Sequence, residues 1–392
     1  KDVGRAYDVV LKSMNECPPE VGNSFFTLPL LYPILATNAT PQVDMTGKQP
    51  ESAAAHMGAL PGEFVLGVTP GGRQVKEPVV FLKKTGVFNA RMEHRKHVLQ
   101  VIVEGMLFSN VPVVILDWEN EFSSMRNPNP NANKLREQKI EGDPMGFPLK
   151  EFVPPENLKM ELSMVFPEGL VELLGISNHE IGKNLVRFLH EHKVSTIDEA
   201  VGILRQLPPS ETFTPFQIAS LSRLFRLLDQ TYPSLFNGIN PTEEISKSWF
   251  QSLGRAGVLR MKGLSIEWKR LLVGAILHGI YELYERKGVS GRVKSMIVIP
   301  EAEQLFDYTK QPLLSREMER ILGESATQDV GFLVSSAHEI DLPKNVLNLV
   351  EARLNLIGGS EAGVTLAGRK NYRVSIRDTY SLPVVKDFFA LK

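Results

Sequence analysis

The chain has 392 residues, of which 43% are hydrophobic and 23% are charged, and its formal net charge is -1 at pH 7. That length predicts two or three folded units with large cores. The near-neutral charge excludes a strongly basic protein that binds nucleic acid through bulk charge, and it excludes an acidic disordered chain. With one cysteine, Cys17, a disulfide framework and a cysteine-based zinc site are excluded, so a reducing, cytoplasmic compartment is expected.

Residues 1–62 are predicted to form an irregular N-terminal arm, because proline, asparagine and glycine interrupt the apolar runs there. In the most apolar run of the arm, Phe25–Leu35, Pro29 and Pro33 exclude a continuous helix. We expect neither a signal peptide nor a membrane span, since no apolar run reaches the roughly 18 residues that crossing a bilayer requires.

Buried strands alternating with helices are predicted over residues 63–155 and again over residues 291–392, which indicates a parallel sheet covered by helices. Val111–Leu116 is nearly continuously apolar, as is typical of a parallel strand buried on both faces. The other predicted elements are the strands Glu63–Val68 and Glu77–Leu82, the helices Val98–Phe108 and Leu314–Ser325, and strands within Val293–Phe306, Val330–Pro343 and Lys370–Asp378.

Helical signals dominate residues 156–290, which we predict to be an α-helical bundle inserted into the sheet domain. Thr196 followed by Glu199 matches a capping box, and Thr214-Pro215 and Asn240-Pro241 match helix starts. The basic residues of this region either solvate helix faces or line a channel that contacts nucleic-acid phosphates. The predicted fold class is therefore α/β, with an inserted helical bundle and an irregular N-terminal arm.

Polar residues follow three of the predicted strands, at Asp117–Glu121, Pro300–Glu303 and Ser335–Glu339. In parallel sheets, ligands bind beyond the carboxyl ends of the strands. Carboxylates at such ends can hold Mg²⁺ through water and orient an attacking water molecule. The alternative is that they cap the helices that follow.

The order of these elements resembles the HerA/FtsK class of P-loop ATPases, and it is most similar to HerA-like DNA translocases and the ATPases of conjugative type IV secretion. The resemblance covers about residues 63–380. It depends on Asp117–Phe122 after the first apolar strand, on Pro300-Glu301-Ala302 at the Walker B position and on Ser335–Val350 as a sensor strand and helix. It implies a RecA-like core, ATP and Mg²⁺ as cofactors, DNA as a partner and a homo-hexameric ring.

The resemblance also implies roles for eight side chains. Glu301 would orient the attacking water, and Arg353 would act on the nucleotide of a neighbouring subunit. The remaining six are Lys96, His97, Asp117 and Glu121 for nucleotide binding and Ser335 and Ser336 for the sensor. No metal cluster of protein side chains is expected, and Glu93, His94 and His97 are expected to be a solvated basic loop.

Two departures from the family pattern concern the nucleotide site itself. Pro300 replaces the Walker B aspartate, and no G-x-x-x-x-G-K-[ST] loop occurs. Aligned in place, Lys96 takes the lysine position, while Ala90 and Arg95 replace the two glycines. Either the site is degenerate, or a strand and phosphate loop are missing between Arg95 and Lys96 in the printed sequence. The second explanation is favoured, because no apolar strand precedes Lys96.

Three functions remain open at this point. The leading expectation is an ATP-driven DNA translocase that acts as a ring and serves a nuclease or a membrane channel, through which it associates with the membrane. The alternative is a degenerate pseudo-ATPase that acts as a structural or adaptor subunit, as Pro300 and the absent glycines suggest. The third is an unrelated nucleotide-binding enzyme, which only analogy of fold opposes.

Overall fold

A computed structural model gives the fold and describes residues 62–131, 133–211, 213–231, 233, 235–238, 254–285, 293–366 and 371–384. The predicted N-terminal arm up to residue 61, with Cys17 and the run Phe25–Leu35, lies outside the described residues, as does the pair Asn240-Pro241. Among the described helices, none is both long enough and apolar enough to cross a membrane.

One mixed sheet of eleven strands organises the described residues, in the order β2-β1-β11-β10-β9-β3-β8-β7-β4-β6-β5. The strands are Glu63–Val68 (β1), Gln74–Pro78 (β2), Lys84–Phe88 (β3), Val113–Asp117 (β4), Leu149–Phe152 (β5), Ala256–Arg260 (β6), Ser295–Ile299 (β7), Val330–Ser335 (β8), Ala352–Gly358 (β9), Glu361–Leu366 (β10) and Tyr372–Ile376 (β11). The neighbours from β9 to β5 are parallel, and the remaining pairs are antiparallel.

Helices cover the sheet and form the predicted bundle. They are Met92–Phe108 (α1), Asn133–Glu137 (α2), Pro167–Leu173 (α3), Glu180–Glu191 (α4), Ile197–Gln206 (α5), Pro215–Thr231 (α6), Ile266–Glu285 (α7), Pro312–Thr327 (α8) and Lys344–Leu349 (α9). The α/β fold class is confirmed. The division of the chain into an arm, two core parts and a bundle stays a prediction, and β6, from inside the predicted bundle range, pairs with β4 in the sheet.

The central strands are buried along their whole length, as their apolar composition predicts. In β4 the side chains alternate between the two faces of the sheet. Val113 and Ile115 belong to a core that includes α1, whereas Val114 and Leu116 belong to a core shared with the bundle, α7 and α8. Two hydrophobic cores therefore cover the two faces of the sheet. A functional site is expected at the ends of the strands, which these cores do not cover.

At the start of α5 the predicted Thr196 cap is present, but the second half of the predicted capping box is displaced by one residue, because the Glu199 carboxylate accepts the Ser195 amide and not that of Thr196. The Glu199 amide donates to Thr196 Oγ1 at 3.0 Å, and the Ser195 amide donates to Glu199 Oε2 at 2.7 Å. At the start of α6, the Gln217 amide donates to Thr214 Oγ1 at 3.3 Å. Each cap satisfies amides that have no partner within the helix.

One predicted strand is wrong, and its neighbour was not predicted. Glu77–Leu82 is not a strand, because β2 ends at Pro78 and Val79–Leu82 is a short 3₁₀ helix. Pro78 has no amide hydrogen with which to continue a ladder. The strand that precedes α1 is instead β3, Lys84–Phe88, which pairs with β8 and β9 on its two sides.

Candidate nucleotide site

The strand ends predicted to carry the chemistry do lie together. Because β4, β7, β8 and β3 are neighbours and parallel, their carboxyl ends share one edge of the sheet. Asp117 ends β4, Glu301 follows β7, and Ser335 ends β8. Helix α1, which is separated from β3 by three residues, carries Lys96 to the same edge.

Lys96 is buried between two carboxylates of its own chain. Its Nζ atom forms an ion pair with Glu121 and a second with Glu301 Oε1 at 3.2 Å, and only 3% of its side chain is exposed. Burial acts to lower the pKa of Lys96, but the hydrogen bond to Glu121 and the charges of Glu301 and Glu121 outweigh it, so the pKa is raised. Lys96 is therefore charged, and two carboxylates already neutralise it.

The backbone holds Glu301 in place. Its φ of 55° lies in the left-handed region, which residues other than glycine adopt rarely. Its amide donates to Ser335 Oγ at 3.4 Å, and the Gln304 side chain donates to its carboxylate. The neighbouring Ser336 is fully buried, and its Oγ has no partner among the described residues.

Asp117 organises the turn that presents Glu121. Its Oδ2 accepts the Phe122 amide at 2.9 Å, and burial raises the pKa of its carboxyl to about 6, although backbone hydrogen bonds from Glu121 and Phe122 oppose the shift. Within this turn, Asn120 has a φ of 61° and its Oδ1 accepts the Lys262 amide at 3.3 Å. The observed contacts of Asp117 are those of a turn cap.

His97 and Arg353 lie apart from this cluster. The ring of His97 is buried and bonds to the Arg377 carbonyl at 2.9 Å through Nε2, so it contacts the C-terminal segment of the chain. Arg353, on β9, pairs with Glu339 at 3.3 Å and remains partly exposed. The structure therefore brings Lys96, Glu121 and Glu301 together, and the trans role of Arg353 stays a prediction.

The explanation by a missing strand and loop is wrong. Arg95 and Lys96 are consecutive residues inside α1, and β3 is the strand that precedes this helix. The sequence pattern did not predict β3, because the Lys83-Lys84 pair and Gly86 interrupt the apolar run that is typical of a buried strand.

The connection from β3 to α1 does not fit bound ATP and Mg²⁺. A phosphate loop needs free amides and glycines that let the backbone wrap the phosphates. Here the loop is three residues long, and the amide of Asn89 donates to the Ala337 carbonyl at 3.1 Å. Arg95, at the second glycine position, is buried and pairs with Glu303 at 3.5 Å. Glu93 adds a negative charge to the first helical turn, where a phosphate would be repelled.

Metal binding by protein side chains finds no support in the same region. The position that contributes a hydroxyl in a phosphate loop is His97, whose ring faces the C-terminal segment. Among the described residues, no group of three or more histidine, cysteine, aspartate or glutamate side chains is placed to hold a metal ion.

Sequence reasoning missed a second set of residues on α1. Gln100 and Glu104 are polar side chains within the apolar second half of α1, and both are fully buried. Gln100 bonds to Ser381 Oγ at 2.8 Å, and Glu104 bonds to Arg377 at 2.7 Å. The spacing of His97, Gln100 and Glu104, three and then four residues, puts them on one helix face and was the available signal.

Comparisons with known proteins agree with this architecture. Residues 97–280 match the family model described as Helicase HerA, central domain. The chain is similar in structure to VirB4 of Thermoanaerobacter pseudethanolicus, with a TM-score of 0.51 and 14% sequence identity over 81% of this chain and 96% of that one. No curated protein matches in sequence.

Further similarity is to the plasmid coupling protein TrwB. Its complex with ADP and Mg²⁺ has a TM-score of 0.49 and 10% identity over 82% of this chain and 91% of that one. The trigonal form of the conjugative coupling protein TrwBdeltaN70, in complex with sulphate, has a TM-score of 0.49 and 8% identity over 85% and 93% of the two chains.

The fold and the HerA match confirm the predicted resemblance to the HerA/FtsK class of RecA-like ATPases. The likeness to VirB4 shows the fold alone, and the match to the HerA central domain extends from α1 to α7.

Replacement of His97 should change how stability depends on pH. Burial lowers the pKa of its ring from 6.5 to about 3. The folded state therefore favours the neutral ring, and this contribution is complete above pH 6.5 and is lost as the pH falls towards 3. Between about pH 7 and pH 5 the wild type should lose about 2 kcal/mol from this group. Urea unfolding at both values should show a smaller loss in His97→Gln, whereas His278→Gln, at a partly exposed histidine, should lose as much as the wild type.

Proposed function

We propose that this protein is a HerA- and conjugation-type subunit whose nucleotide site is closed by its own side chains, and that it acts as a structural or adaptor subunit. The phosphate lysine position, Lys96, already has two carboxylate partners, Glu121 and Glu301. This observation carries the proposal, because a buried, neutralised lysine cannot bind phosphate until both ion pairs are broken.

The surroundings of Lys96 support the same proposal. Arg95 and Glu93 occupy the turn that phosphates would need, and the Asn89 amide is already hydrogen-bonded. This edge of the sheet has three carboxylates, those of Glu121, Glu301 and Glu303, but only Arg95 and Lys96 pair with them. The excess negative charge would repel a nucleoside triphosphate.

A second candidate is an ATP-driven DNA translocase that acts as a homo-hexameric ring. The observation that favours it is the retained pair of Lys96 and Glu301, whose charged atoms are 3.2 Å apart at the shared edge of the sheet. On this proposal Lys96 would exchange its carboxylates for phosphate, Glu301 would orient water, and Arg353 would act on a neighbouring subunit. DNA, a nuclease or a membrane channel would be the partners, in the cytoplasm.

Nucleotide binding and turnover separate the two candidates. We expect the wild type to show no saturable binding of ATP with Mg²⁺ up to about 1 mM, the upper end of ordinary KM values. ATP hydrolysis, with and without DNA, should stay at the rate of Glu301→Gln. Glu319→Gln, a change at a partly exposed carboxylate of α8 that lies outside the nucleotide site, is the matched control for purity and folding. DNA-stimulated hydrolysis that Glu301→Gln abolishes and Glu319→Gln retains would overturn the adaptor proposal and establish the motor.

A further inference from the structure

A cavity of about 430 Å³ lies where the bundle meets α7 and α8, away from the edge of the sheet that carries the candidate nucleotide site. Its walls come from the turn before α3, from the end of α4 and from one face each of α7 and α8. The volume is within the range of pockets that bind small molecules. The residues that line it include none of those assigned to the nucleotide site, so a ligand here would not depend on that site.

The apolar wall of the cavity is held by close packing. Leu314 is wedged near two glycines, since a Cβ built on Gly169 or Gly274 would lie 3.1 Å or 3.0 Å from its Cδ1. The start of α8 is fixed by Glu172, whose carboxylate accepts the amides of Leu313 at 2.7 Å and Leu314 at 3.0 Å. The cavity is therefore bounded by closely packed helices whose relative position these contacts and hydrogen bonds hold.

The interior of the cavity suits an apolar body. Its lining includes Leu162, Met164, Val165, Met318 and Ile321. The two methionines have flexible, polarisable side chains that adapt to ligands of different shape. An aromatic ring system or a short acyl chain would find apolar contacts on several sides.

The lining of the cavity includes one lysine, two histidines and two carboxylates, and among the described residues only the lysine lacks an ion-pair partner. His190 pairs with Glu168 at 3.2 Å, and His278 pairs with Glu282 at 3.4 Å. Glu317 at the rim pairs with Arg320. Lys193 lines the same mouth, and among the described residues it has no carboxylate partner.

From this arrangement we propose that the cavity binds an amphiphilic organic anion. The apolar body fills the space bounded by the turn before α3, the end of α4 and one face each of α7 and α8, and the acidic group lies at the mouth, where Lys193 neutralises it. A cation would meet Lys193 with like charge, and a fully polar anion would leave the apolar wall unused.

The probe is anilinonaphthalene sulfonate, which has an aromatic body and one anionic group, titrated into the full chain with fluorescence and calorimetry as readouts. We expect saturable binding of one molecule per chain. Lys193→Glu should weaken this binding at least tenfold, whereas Lys183→Glu, an exposed lysine of α4 that does not line the cavity, should change it less than twofold. Ser163→Trp, which adds bulk at the exposed mouth, should also weaken it.

The uncharged analogue phenylnaphthylamine tests the acidic group. It should bind at least tenfold more weakly than the sulfonate, and Lys193→Glu should not affect it. Equal effects of Lys193→Glu and Lys183→Glu, or no saturable binding by the wild type, would overturn the proposal. Circular dichroism of each variant shows whether the fold is retained, and neither lysine variant changes a buried residue.

Discussion

Glu104→Ala is expected to lower the free energy of unfolding by about 3–5 kcal/mol, the range found when one partner of a buried ion pair is removed. Glu104 and Arg377 form such a pair, with 2.7 Å between charged atoms and at most 1% of either side chain exposed. Without Glu104, the guanidinium charge stays buried and unpaired. Urea unfolding followed by circular dichroism measures the loss.

The carboxylate of Glu104 has more than one partner, which raises the expected cost. Its Oε2 also accepts the Tyr380 amide at 3.1 Å, and its Oε1 accepts the amide and hydroxyl of Ser381 at 2.9 Å and 2.6 Å. Arg377 in turn donates to the Val65 carbonyl at 2.9 Å and stacks 4.4 Å from the Tyr380 ring. Residues from β1, α1 and the C-terminal segment therefore meet at one buried charge pair.

A matched control and a double variant identify the cause. Glu282→Ala removes an exposed carboxylate that pairs with His278 at 3.4 Å, and it should cost less than about 0.5 kcal/mol. Replacement of both partners, Glu104→Leu with Arg377→Met, should cost less than the sum of the single changes, because no charge is left unpaired. A loss below about 1 kcal/mol in Glu104→Ala would show that the pair does not fasten the C-terminal segment.

The sequence was sufficient for the centre of the sheet and for the edge where the acidic residues meet. β4, β7 and β8 are short apolar runs buried on both faces, so their composition alone marks them. The polar residues that follow them meet because parallel strands end on one side. The exposed strands were harder to predict, since β10 alternates buried and exposed positions and β5 has four residues at the margin of the sheet.

The long-range polar contacts could not be predicted from sequence spacing. Glu104 and Arg377 are separated by 273 positions, and Lys96 and Glu121 by 25. Periodicity reports which face of a helix is buried but not which charge on another element will meet it. Lys96 was interpreted as a phosphate ligand because it stands at the lysine position of the phosphate-loop motif. Its ion pairs, in contrast, depend on where the turn after β4 places Glu121.

Lys96→Met provides the sharpest test of those ion pairs. We expect it to lower the free energy of unfolding by about 3 kcal/mol, because it leaves Glu301, a nearly buried carboxylate, without its cation. Glu301→Gln in addition should restore part of the loss, with a coupling energy of about 1–3 kcal/mol in a double-mutant cycle. The same cycle with Glu324→Gln, whose carboxylate pairs with Arg320 on the surface of α8, should be additive within about 0.5 kcal/mol.

The two candidate functions predict different results when nucleotide is added to these variants. On the motor proposal Lys96 exchanges its carboxylates for phosphate, so ATP with Mg²⁺ would stabilise the wild type but not Lys96→Met. On the adaptor proposal Lys96 stabilises the fold through its two carboxylate partners. Lys96→Met then lowers the free energy of unfolding without nucleotide, and ATP changes the stability of neither protein. The second pattern is the expected one, because the contacts that Lys96 makes are with Glu121 and Glu301, and a change below about 0.5 kcal/mol in Lys96→Met would refute it.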